Sequence, residues 1–71
     1  MHYRILDKRP AGTSFQPGTQ IVLCELGENK VTPQCTWVMT PNGERYYGHY
    51  FTPAEIAQGK HREDFANRGR H

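Results

Sequence analysis

A chain of 71 residues with 35% hydrophobic content and a mean hydropathy of −0.85 is one small domain, too polar for a large core and too rich in rings, at 11%, for a disordered chain. A domain of this size buries roughly 60% of its unfolded surface, so a thin core must lean on its rings, which leaves room for stabilisation by a partner or by self-association. The net charge of +2 argues against a domain that lives on phosphate contacts, two cysteines make no disulfide framework, and no apolar run approaches membrane length, so a cytoplasmic soluble protein is expected.

The stretch "HYRIL" (2–6) alternates and is rich in strand formers, which predicts a first strand. "DKRPAGTSFQPGTQ" (7–20) follows as a long loop with Phe15 as its anchor. "IVLCEL" (21–26, or from 20) reads as a buried strand, and "GENK" (27–30) as a turn. Pro33 marks the start of the next strand, "QCTWVMT" (34–40). Cys24 and Cys35 fall on these neighbouring strands. Free structural thiols are expected there, with a disulfide or metal ligation as alternatives.

Asn42-Gly43 suits a two-residue type I′ hairpin turn, and "RYYGHYF" (45–51) is the returning strand. "TPAE" (52–55) then combines an N-cap, a proline at N1 and a capping box, with Phe51 and Ile56 placed for a hydrophobic staple. A short helix is expected over 53–58, a break near Gly59, and a second helical segment over 60–68 with Lys60–Asp64 and Asp64–Arg68 ion pairs on a solvated face. Residues 1–66 form the domain and 67–71 a frayed basic tail.

A two-residue turn at 42–43 pairs Trp37 with Gly48, Met39 with Tyr46, Val38 with Tyr47, Thr36 with His49 and Cys35 with Tyr50. One face then carries Cys35, Trp37, Met39, Tyr46, Gly48 and Tyr50. The other carries Thr36, Val38, Thr40, Arg45, Tyr47, His49 and Phe51. The indole over Gly48 makes the first face the core candidate, with Trp37, Met39 and Tyr50 in it. Phe51 and the staple place the helix on the second. The two cues are reconciled by a sheet that is covered on both sides or strongly curled. Arg45, Tyr47 and His49, with Val38 beside them, are the candidate binding residues.

No catalytic motif, metal-ligand spacing or cofactor loop is present, so no enzyme, metal or cofactor is expected. In "RYYGHYF", Arg45, Tyr47, Gly48 and His49 resemble the base-stacking strand motif of RNA-recognition and cold-shock domains, although Tyr46 stands where that motif has a small residue. The run from Trp37 through "PNG" to "GHYF" and a short helix is similar to small bacterial proteins carried by plasmids, phages and integrated elements. That resemblance implies an accessory role without a set chemistry.

The expected fold is a β-rich α+β domain: an antiparallel meander of three to four strands with a C-terminal helix, or alternatively an SH3-like small barrel. The expected function is a non-enzymatic module that binds another protein or itself, with single-stranded nucleic acid as the alternative ligand and no membrane contact.

Overall fold

The computed structural model describes residues 2–68. Four strands, β1 (Arg4–Pro10), β2 (Gln20–Glu25), β3 (Gln34–Met39) and β4 (Arg45–Phe51), precede two short helices, α1 (Pro53–Ala57) and α2 (Lys60–Asn67). The strands pair antiparallel in chain order, β1-β2-β3-β4, as an open meander sheet rather than a closed barrel.

The first strand starts later and runs further than expected. Residues 7–10 pair with Leu23 to Gln20, across a bulge between Ile5 and Asp7. Pro10 is accommodated because β1 is an edge strand. The loop that follows is correspondingly shorter. Ala11 N–H donates to Thr19 O at 2.9 Å, and Phe15 packs with Leu6 and Ala11 against the core.

The hairpin turn differs from the two-residue reading. Pro41, Asn42 and Gly43 all lie in the loop. Gly43 N–H donates to Thr40 O at 2.9 Å, Thr40 N–H donates to Glu44 O at 2.8 Å, and Gly43 holds φ 85. A type I′ turn would need positive φ at Asn42, and Tyr47 is the non-glycine residue with that sign among those described. Pro41 decides the outcome. Its fixed φ suits the second position of an ordinary turn, and it has no N–H to give a ladder.

The longer turn slips the near half of the hairpin by one residue. Met39 faces Arg45 and Val38 faces Tyr46, not Tyr46 and Tyr47. A bulge then restores the register, so that Thr36 faces His49 and Cys35 faces Tyr50 as expected. Tyr47 and Gly48 share the place opposite Trp37, and Tyr47 takes φ 56.

The sheet has a buried cluster on each face, which reconciles the indole with the staple. On the helix-bearing side Ile21, Leu23 and Val38 pack under Phe65 of α2. Burying one such aromatic side chain stabilises by about 1.5–3 kcal/mol. On the opposite, open side Val22, Cys24, Leu26, Cys35 and Trp37 pack together, with Met39 against them.

Thr52 caps α1. Its hydroxyl accepts from Glu55 N–H at 3.3 Å, and Glu55 Oε1 accepts from Thr52 N–H at 2.9 Å, which holds the Glu55 carboxyl below its ordinary pKa. Thr52→Ala is expected to lower stability by ~1 kcal/mol in urea titration. An unchanged midpoint would remove the cap from the account. Gly59, at φ 76, separates the helices where the break was expected.

Asn67 closes α2, and Arg68 is anchored to the sheet. The rest of the stretch read as a basic tail, 69–71, lies outside the described residues.

Candidate functional site

The candidate binding residues do not form one surface. Val38 is buried under α2. His49 is turned toward α2, with Nδ1 3.1 Å from Asp64 Oδ1. Arg45 lies on the Trp37 face, because the three-residue turn moved it there. Tyr47 is the most exposed ring, at 76%, and sits on the bulge of an edge strand.

The polar residues gather between the sheet and α2 instead. Thr36, fully buried, donates its hydroxyl to Asp64 Oδ2 at 2.6 Å. Arg68 Nη1 donates to Thr36 O and Thr36 Oγ1, both at 2.9 Å, and Arg68 Nη2 donates to Tyr47 O. Burial pushes the Arg68 pKa down, and the Asp64 carboxylate opposes that shift. Arg9, reaching from β1, donates to Phe65 O at 2.7 Å and to Arg68 O, so a cation meets the C-terminal carbonyls of α2.

Asp64 therefore faces inward. The expected solvated ion pairs with Lys60 and Arg68 are replaced by a contact with His49 and a hydrogen bond from Thr36. The sequence held one signal of this. Asp64 directly precedes Phe65, the one buried residue of α2, so the two lie on adjacent parts of the helix surface.

His49, Asp64 and Thr36 are the residue types of a hydrolytic triad, but their bonds run the wrong way for one. A base activates a hydroxyl that sits on its free nitrogen. Here the Thr36 hydroxyl is spent on the carboxylate and lies fully buried. The arrangement is a clamp that fastens α2 to the sheet.

The open face is where rings meet solvent. Trp37 lies at its centre, 5% exposed. Tyr3 packs edge-on against it at 5.4 Å between centroids, and Tyr50 does the same at 6.3 Å. The Arg45 guanidinium covers Tyr3 at 4.4 Å and Trp37 at 4.9 Å. Tyr3, Ile5 and Tyr50 remain 36%, 42% and 48% exposed, so Tyr50 is a rim residue and not the core residue expected. Tyr3 and Ile5 were missed in the sequence, since nothing local shows the β1–β2 register that sets Ile5 across from Cys24.

Beneath this lid Cys24 faces Cys35 across β2 and β3, and both are free and fully buried. Burial pushes the Cys24 thiol up to about 11 and the Cys35 thiol up to about 12. The fold thus holds these protons more tightly than the unfolded chain, whose thiols titrate near about 8.5. Stability from this source is complete below that value and is lost as pH rises toward the folded values. Neither thiol is expected to react with a thiol reagent at neutral pH until denaturant is added. Fast native-state labelling would show that the lid opens.

Among the described residues no three His, Cys, Asp or Glu side chains converge on one point, and no helix is long and apolar enough to cross a membrane. Two surface hollows are lined mainly by loop residues, one within Pro10–Gln20 and one by His2, Leu26 and residues 28–31, and a third lies between Phe51 and α2 at Lys60, Glu63, Asp64 and Asn67. Set against protein-family models, curated proteins and solved structures, the chain matches none of them.

Proposed function

We propose that this protein is a small non-enzymatic module that recognises another protein through the open face of its sheet. One observation carries this reading: Tyr3, Ile5 and Tyr50 are partly exposed around a buried indole, with Arg45 laid over the rings. Tyr, Trp and Arg are the residues enriched at the centres of protein interfaces, where Lys, Glu and Asp are depleted. The expected self-association and accessory, mobile-element role belong to the same class of module.

Single-stranded nucleic acid is the second reading, because rings on a sheet face opposite the helices are also a stacking platform. It is the weaker of the two. Stacking needs an open ring face, and here Arg45 covers Tyr3 while Trp37 is almost buried.

Capture from host lysate, with protein and nucleic acid assayed in one eluate, tests the choice. A protein is expected in the eluate, and Ile5→Asp should abolish its capture without changing the melting curve, because a carboxylate on a docking face opposes burial. Nucleic acid in the eluate, released by modest salt, would favour the second reading.

A further inference from the structure

The Arg45 guanidinium lies on two rings. The rings hold its fork in place over the face. Among the described residues no carboxylate pairs with it: Glu25 pairs with Arg4, Asp64 with His49 and Asp7 with Arg62. Neighbouring Glu44 accepts a hydrogen bond from the Tyr46 hydroxyl. The strand carboxylates Asp7 and Glu25 share register rows with Leu23 and Gln34, on the helix-bearing side. Lys8 shares a row with Val22, on the open side. That face therefore presents Lys8 and Arg45, and no strand carboxylate, among partly exposed apolar groups.

This charge pattern selects the occupant. A second copy placed face to face would set Lys8 and Arg45 against the same cations, with no acid to meet them. Edge-to-edge pairing is obstructed as well. β4 carries the Tyr47–Gly48 bulge, and β1 carries the bulge at Ile5/Asp7 as well as Pro10. A nucleic-acid strand needs a longer cationic track than this. We infer that the open face docks an acidic segment of a different protein. An Asp or Glu of that segment takes the Arg45 fork, and its apolar neighbours cover Tyr3, Ile5 and Tyr50. This rests on the protein-binding reading and adds the partner's chemistry to it.

Selection of random displayed dodecapeptides against the immobilised chain tests the inference directly. The wild type should enrich peptides with Asp or Glu beside Phe, Trp or Leu, and synthetic versions should change Trp37 fluorescence on binding. Arg45→Gln should weaken those peptides about tenfold, equivalent to ~1.4 kcal/mol. Arg45→Glu should instead enrich peptides rich in Lys and Arg, a reversal that a purely structural arginine would not produce. A pool without acidic bias, or one indifferent to Arg45→Gln, overturns the acidic partner and leaves the broader protein-binding reading standing. Concentration-dependent dimerisation that Ile5→Asp abolishes overturns it in favour of a second copy. Salt-sensitive oligonucleotide binding that Arg45→Gln abolishes overturns it in favour of nucleic acid. Enrichment of no peptide, together with no captured protein from lysate, removes both the inference and the reading beneath it.

Discussion

Gly48→Val is expected to destabilise the domain by ~1–3 kcal/mol, the usual range for overpacking. At this chain length each kcal/mol lowers Tm by roughly 4–8 °C. The cause is specific. A Cβ at position 48 would stand 2.7 Å from Trp37 Nε1 and 2.9 Å from two atoms of the Tyr50 ring. The indole cannot move away freely, because it packs edge-on against both Tyr3 and Tyr50 and carries Arg45 above it. Gly48→Ala already places that Cβ and should show a smaller loss of the same sign. A thermal melt monitored by Trp37 fluorescence checks both variants. A wild-type Tm in Gly48→Val would show that the indole does not cover this residue.

Arg68→Ala is expected to lower stability by about 1.5–3 kcal/mol, the scale of hydrogen bonds to a charged group. It removes the donors to Thr36 O, Thr36 Oγ1 and Tyr47 O together. The Thr36 side is fully buried, so water does not readily replace the lost donors. Arg68→Lys keeps the charge but not the fork, and should recover only part of the loss. Asp64→Ala strips the other half of the clamp, and combining it with Arg68→Ala should cost less than the sum of the two. Urea titration of the four proteins supplies the cycle. Simple additivity would mean that Asp64 and Arg68 act independently.

The elements that local chemistry determines were legible in the sequence. The capping box at Thr52 and Glu55, the break at Gly59 and the buried run of β2 depend on neighbours along the chain, and each stands where the residues put it. The hairpin was legible at its open end but not at its turn. Thr36 and Cys35 find their expected partners, while Pro41 lengthens the turn and Tyr47 absorbs the extra residue in a bulge. A one-residue slip exchanges the faces of a strand. That exchange carried Arg45 onto the Trp37 side. His49 and Val38 were misread for another reason: whether a sheet face is open depends on where a distant helix lands, and Phe65 and Asp64 reach it from far along the chain. The open face itself joins Tyr3 to Tyr50 through Trp37, a combination that no local spacing reveals.

Because strand order equals chain order, the sheet can assemble in time as it is laid out in space. Each strand leaving the ribosome finds its partner already made, and no long loop must close before a pairing is rewarded. The helix-bearing side obeys a different clock. Ile21, Leu23 and Val38 have Phe65 as their cover, and Arg68 fastens that cover to Thr36 and Tyr47. A nascent chain that has emerged only as far as Gly59 carries a complete sheet whose helix-bearing side is covered by Phe15 and Ala11 but still lacks Phe65. The residues of α2, which emerge after the sheet, are therefore the ones that turn a sticky ribbon into a finished domain.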